Sequence, residues 1–115
     1  MIAHKNAPAS RADRDRDDLE AIAKALSSPI RLKVLDWLRD PEANFDSRRE
    51  GDLSRSGACV SLIAHKAAIS QPTASRHLEV LRRAGLVGTE RVAQWNFHHR
   101  DEAGLSRARD LLAQI

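Results

Sequence analysis

The chain has 115 residues, of which 42% are hydrophobic and 30% charged, with a formal net charge of +3. This composition allows one small domain with a modest core. It excludes an intrachain disulfide, since Cys59 is the only cysteine, and no apolar run approaches the ~20 residues of a membrane helix. The first ten residues also contain no apolar stretch typical of a secretory signal. Together these features predict a cytoplasmic protein without membrane contact.

The positive charge is concentrated in one part of the chain. Residues 1–57 hold 11 basic and 11 acidic side chains, whereas residues 58–100 hold 6 basic and 2 acidic ones. Residues 101–115 hold 2 basic and 3 acidic side chains. A basic excess in one segment is expected of a surface that binds nucleic acid, although alone it is a weak signal.

The N-terminal half begins with a polar stretch and continues with two predicted helices. Residues 1–15 have no apolar period and predict a flexible tail, which leaves residues 16–115 as one domain. An apolar stripe then predicts a helix from about Arg16 to Leu26. Ser28 and Pro29 open a second helix, which ends near Arg39. The stripe of the first helix consists of Leu19, Ile22, Ala23 and Leu26.

Residues 40–57 are polar, lack a sustained period, and form a long connection for two helices. We expect an irregular loop with a short strand near Ala58–Val60, and the sequence assigns no role to it. A third short helix follows over Val60–Ala68.

The helix predicted over Ser70–Ala84 is the most informative element. Ser70 is a favourable cap, and Gly85 is typical of a helix end. A short hairpin over residues 86–99 and a final amphipathic helix over Glu102–Ile115 follow. The predicted fold is therefore mainly α with a small β-hairpin wing, in the order α-α-α-α-β-β-α, and the tight turn at Ile69-Ser70 makes it a winged helix-turn-helix.

In this fold the fourth helix enters the major groove of double-stranded DNA and the hairpin contacts the adjacent backbone. Small polar side chains at the start of the helix allow close approach to base edges, and arginine is suited to guanine or phosphate. The predicted DNA-contacting residues are Gln71, Thr73, Ser75, Arg76, His77, Arg83 and Arg91.

Two motifs in the chain resemble those of ArsR/SmtB-type regulators. The run Ser27–Leu35 (SSPIRLKVL) resembles the start of that family's second helix, and residues 70–87 (SQPTASRHLEVLRRAGLV) resemble its recognition helix and first wing strand. The resemblance covers about Leu19 to Phe97. It implies a homodimeric repressor that joins through its first and last helices, binds a near-palindromic operator and responds to an effector, here unknown.

Apolar side chains on the two terminal helices favour pairing with a second copy, because two short amphipathic helices are difficult to cover in so small a chain. The predicted dimer-interface residues are Leu19, Ile22, Leu26, Leu105, Leu111 and Leu112.

The sequence departs from the metal-sensing members of the family it resembles. Those members carry thiolates in the third helix or carboxylates and histidines in the last. Here residues 58–61 (ACVS) contain one cysteine, and the last helix contains no histidine. No metal or cofactor is predicted, and Cys59 is interpreted as a small hydrophobic residue in preference to a reactive thiol.

No catalytic motif is found, so an enzyme is not predicted. Two alternatives to the DNA-binding regulator remain open. One is a winged-helix module that binds another protein. The other is a metal or redox sensor that uses Cys59.

Overall fold

A computed structural model describes residues 8–46, 53–54 and 57–115. The elements in chain order are α1 (Arg11–Leu26), α2 (Pro29–Trp37), α3 (Pro41–Asn44), β1 (Leu53–Ser54), β2 (Gly57–Ala58), α4 (Val60–Ala67), α5 (Gln71–Arg83), β3 (Val87–Val92), β4 (Trp95–Arg100) and α6 (Glu102–Ala113). The α4–α5 pair forms the helix-turn-helix and the β3–β4 hairpin forms the wing, which confirms the predicted fold class.

Helix α1 begins at Arg11, so the predicted start near Arg16 is wrong. Ser10 forms a capping box, in which its hydroxyl accepts from the backbone of Asp13 at 3.1 Å and its own N–H donates to that carboxylate at 3.3 Å. The first turns contain no apolar side chain larger than that of Ala12, and apolar periodicity therefore could not reveal them. Of the predicted tail, residues 11–15 are helical, and residues 1–7 lie outside the described residues.

The expectation of an irregular loop over residues 40–57 also needs correction. Asp40 caps the short helix α3, after which Phe45 packs edge-to-face on Trp37 with ring centroids 6.2 Å apart. Strands β1 and β2 follow, and Ala58 of β2 pairs with His98 of β4. The short strand predicted near Ala58–Val60 is present as β2 at Gly57–Ala58, whereas the sequence predicts neither α3 nor β1. Residues 47–52 and 55–56 are outside the described ranges.

The sheet of the described residues is antiparallel, with strand order β1-β2-β4-β3. In the wing, Val87 pairs with Arg100 at the base and Val92 with Trp95 at the tip. The hairpin spans residues 87–100, one residue later than the predicted 86–99, and a two-residue turn that starts at Ala93 (φ +54°) joins its strands.

The core lies where α1, α2, α5 and α6 meet the base of the wing. Gly85 (φ +77°) follows the last turn of α5, and its N–H donates to the carbonyl of Arg82. The N–H of Leu86 donates to the carbonyl of Leu81. Leu81 and Leu86 are fully buried, so this turn anchors the recognition helix in the core. A Cβ on Gly104 of α6 would lie 1.7 Å from the carbonyl oxygen of Gly85, and only glycine fits there.

Candidate nucleic-acid interface

The turn between α4 and α5 sets the direction of the candidate recognition helix. Ala68 closes α4 with φ +56° and ψ +44°, a left-handed conformation that usually belongs to glycine. Its N–H donates to the carbonyl of His65 at 3.1 Å. The N–H of Ile69 donates to the carbonyl of Ala64, also at 3.1 Å. These bonds satisfy two carbonyls in the last turn of α4, and two residues, Ile69 and Ser70, remain before α5 begins.

The start of α5 presents a polar surface that is ordered by its own cap. The hydroxyl of Ser70 accepts from the backbone N–H of Thr73 at 3.3 Å and donates to that residue's Oγ1 at 2.9 Å. The guanidinium of Arg76 donates to the same Oγ1 at 3.2 Å. Gln71, Ser75 and Arg76 are exposed, whereas Thr73 is half-buried. Of these four, Thr73 therefore acts as the link that holds Arg76 against the helix.

His77 is half-buried and faces α2 instead of pointing straight outward. Its Nδ1 lies 3.0 Å from Nη1 of Arg31. Burial, followed by the nearby charges of Arg31 and Arg76, lowers the pKa of His77 below its ordinary value of 6.5. Sequence reasoning missed Arg31 as part of this site. The available signal was a cation in the first turn of α2, where it opposes that helix's dipole.

Further along α5, Glu79 holds two basic side chains. Arg82 reaches its carboxylate with Nε at 2.9 Å and Nη2 at 2.5 Å, and Nε of Arg83 lies 2.9 Å away. Hydrogen bonds from the two arginines lower the pKa of Glu79 to about 2. In the free protein, Nε of Arg83 is therefore held by Glu79, which competes with the predicted contact of Arg83 with DNA.

The wing carries Arg91 exposed near its tip, where Nε donates to the carbonyl of Ala93 at 3.2 Å. Between α5 and the wing lies a cleft of about 200 Å³. Thr89 and His98 face this cleft and share a hydrogen bond of 3.0 Å. Of the predicted DNA-contacting residues, Ser75 lines this cleft, whereas Arg91 lies further out on the wing and is not part of its lining.

The predicted dimer-interface residues differ in how far they are buried. The chain's own core buries Ile22, Leu105 and Leu111. Leu19 and Leu26 are half-buried against that core, and Leu112 is 41% exposed. Ile115 extends the apolar surface beyond Leu112 and is 90% exposed.

Cys59 occupies the N-cap position of α4 without a side-chain capping bond; it is half-buried, with its Sγ 3.0 Å from the hydroxyl of Ser61. Over the described ranges, no three His, Cys, Asp or Glu side chains come together in a group that could hold a metal ion. The helices described there include none that is both long and apolar enough to cross a bilayer.

A capped helix with an open polar start, held by a tight turn and flanked by a basic hairpin, defines a transcriptional regulator of the winged helix-turn-helix class. Residues 53–89 match the model of the bacterial regulatory protein, arsR family. The chain is 38% identical over 91 residues to the HTH-type transcriptional regulator YbzH of Bacillus subtilis, which covers 79% of this chain and 91% of that protein. The chain therefore belongs to the ArsR family of bacterial regulatory proteins.

Other similar proteins agree with this assignment. The arsenic resistance transcriptional regulator ArsR1 of Pseudomonas putida is 42% identical over 73 residues, or 64% of this chain and 53% of that protein. The homodimeric winged helix-turn-helix DNA-binding domain Mb0332 of Mycobacterium bovis superposes with a TM-score of 0.64 at 25% identity, over 95% of this chain and 86% of that one. The transcriptional repressor BigR of Xylella fastidiosa gives 0.55 at 26% identity, over 91% and 92%. These matches are regulators, which confirms the DNA-binding, non-enzymatic class.

Proposed function

We propose that this regulator is a homodimeric, sequence-specific repressor in which residues 70–84 read bases in the major groove of a near-palindromic operator. The observation that carries the proposal is the ordered polar start of α5. Arg76 is exposed there, yet Thr73 holds its guanidinium, so the side chain has fewer conformations to lose on binding. A fork of donors in a fixed place is suited to the acceptor edge of guanine.

The exposed apolar end of α6 supports the homodimer. Leu112 and Ile115 remain open to solvent although the rest of the α6 stripe is buried, and the similar domain Mb0332 is a homodimer. The proposed DNA-binding and dimerisation domain begins with α1 and spans residues 11–115. Two recognition helices related by a two-fold axis would meet successive major grooves ~34–36 Å apart. The regulator acts in the cytoplasm and answers to an effector that is still to be identified.

Selection of bound sequences from random duplexes tests the proposal. We expect a consensus with two inverted half-sites whose centres lie about one helical turn apart. On that consensus, Arg76→Ala is expected to cost about 1–3 kcal/mol of binding free energy, because it removes a base contact. Arg39→Ala is the matched control, since Arg39 is an exposed arginine at the end of α2 with a weak ion pair to Asp36 at 3.8 Å.

Equal affinities of the two variants would contradict the assigned role of Arg76. A module that binds protein instead of DNA would yield no enriched consensus and no salt-dependent affinity for duplex DNA. Sedimentation that detects only monomer at micromolar concentration, with and without the selected duplex, would contradict the dimer.

A further inference from the structure

Arg31 lies outside the helix-turn-helix and the wing, at the third position of α2. A cation there is unfavourable for the dipole of α2, so the benefit of this side chain must come from its contacts with other elements. Its Nε donates to the carbonyl of Ala25 at 2.7 Å, and its Nη2 donates to that of Lys24 at 3.0 Å. Both carbonyls belong to the last turn of α1, where the negative end of that helix's dipole stabilises a positive charge.

The third nitrogen of the guanidinium, Nη1, contacts α5. Nη1 of Arg31 lies 3.0 Å from Nδ1 of His77. A guanidinium can only donate, so Nδ1 must be the acceptor. A neutral imidazole with an accepting Nδ1 carries its proton on Nε2. The plane of the fork is fixed by two carbonyls of α1, and the ring of His77 is therefore fixed in both orientation and tautomer.

The charges around the ring favour this neutral form. Arg31 from α2 and Arg76 from α5 itself both oppose a positive charge on His77, and burial acts in the same direction. Helix α1 contributes the two backbone carbonyls that hold the guanidinium.

The other edge of the ring is open. Nε2 of His77 has no hydrogen-bond partner among the described residues. Within the same ranges, no buried side-chain nitrogen or oxygen of a partly buried residue lacks a partner. Nε2 is therefore in contact with solvent, and it presents an N–H donor on the flank of the recognition helix.

We infer that Arg31 is a positioning residue for DNA binding, which fixes His77 as the Nε2–H tautomer so that its open edge donates a hydrogen bond to a DNA phosphate. Phosphate oxygens accept most hydrogen bonds between proteins and DNA, and they lie along the groove that a recognition helix enters. This inference rests on the proposed function for its DNA step, whereas the tautomer is a property of the free protein.

The tautomer is tested first, without DNA. Long-range ¹⁵N–¹H correlation spectra of the full chain show which ring nitrogen of His77 carries the proton. We expect the Nε2–H form in the wild type at pH 7. In Arg31→Met, which keeps the apolar stem but removes the donors, we expect the titration midpoint of His77 to rise towards its ordinary value. Arg31→Lys serves as the second variant, because it retains the charge and one donor. A wild-type ring protonated on Nδ1, or an unchanged midpoint in both variants, would overturn the inference.

The DNA step is tested with paired substitutions of His77. His77→Gln places an amide donor near the position of Nε2, whereas His77→Asn places its amide near Nδ1 and leaves no outer donor. We expect His77→Asn to weaken operator binding by about tenfold and His77→Gln to retain most of the affinity. Arg31→Met should weaken binding at pH 8 as His77→Asn does, and the double variant should lose no more than either single one. At pH 6 Arg31→Met should regain affinity relative to His77→Asn, because its freed ring becomes cationic.

The two proposals fail in different ways. If the wild-type protein binds no duplex, both the proposed function and the phosphate contact are contradicted, whatever the spectra show about the tautomer of His77. A wild-type protein that binds its operator, with Arg31 and His77 variants that leave affinity unchanged or lose it additively, would overturn this inference alone.

Discussion

Ala68 and Gly85 occupy equivalent left-handed positions at the ends of α4 and α5, with φ of +56° and +77°. They allow a matched exchange, Ala68→Gly and Gly85→Ala. The left-handed conformation costs an L-residue with a Cβ about 1–2 kcal/mol. Glycine avoids this cost, but its greater freedom in the unfolded chain offsets about 0.4–1 kcal/mol of the resulting gain in stability. A Cβ on Gly85 would meet no atom within 4 Å, so sterics add nothing to the difference.

The net expectation is a gain of about 0.5–1 kcal/mol for Ala68→Gly and a similar loss for Gly85→Ala. In a domain of this size this corresponds to a shift in Tm of about 3–6 °C, in opposite directions. Circular dichroism in urea, at one fixed protein concentration, measures both variants, and the double variant should return close to the wild type. Because backbone angles are retained, operator affinity of Ala68→Gly should not change. A destabilised Ala68→Gly would refute the reasoning, since it would mean that this turn is not left-handed in solution.

Two further predictions concern charge. Glu79→Gln should tighten binding to any duplex and steepen its salt dependence, because it frees two arginines that Glu79 now holds; weaker binding in a filter or fluorescence titration would contradict this. The stability of the fold should also fall between pH 7.5 and 5.5. Burial is the largest cause that lowers the pKa of both His77 and His98 below the ordinary value of 6.5, so the unfolded chain takes up protons in this window before the folded chain does. An unchanged urea midpoint at the two pH values would be evidence against it, and His77→Gln combined with His98→Asn should reduce the dependence.

The parts of the fold that the sequence predicts well are those with local signals. Ser28 and Ser70 each cap a helix through a hydrogen bond to a backbone N–H three residues later, so the signal and the structure lie within one turn. The stripe of α5 is similar, because Ala74, Leu78 and Leu81 are all buried at the spacing of a single helix face. For these elements, the residues that define the structure are close to one another in the chain.

The parts that the sequence could not predict depend on distant partners. The sequence predicts a short strand near Ala58 but not its partner, because Ala58 pairs with His98 far along the chain and no local pattern identifies that pairing. The candidate site shows the same limit. Its exposed polar face could be predicted from the helix, whereas the bond between Arg31 and His77 joins residues 46 positions apart. Helix periodicity places His77 beside the apolar stripe but does not identify the group that it faces.

The two terminal helices illustrate how the dimer surface and the DNA-reading helix are connected. Arg107 of α6 bonds to Asp15 at 3.0 Å and to Asp18 at 2.8 Å, which fastens α6 to α1. In the proposed dimer, a second copy contacts the outer edge of this pair, where Leu112 is exposed, because the inner stripe is already buried. The last turn of α1 in turn holds Arg31, and through it the recognition helix. We therefore expect a signal that displaces α1 and α6 to reach α5 in part through this guanidinium, because it is hydrogen-bonded to both α1 and α5.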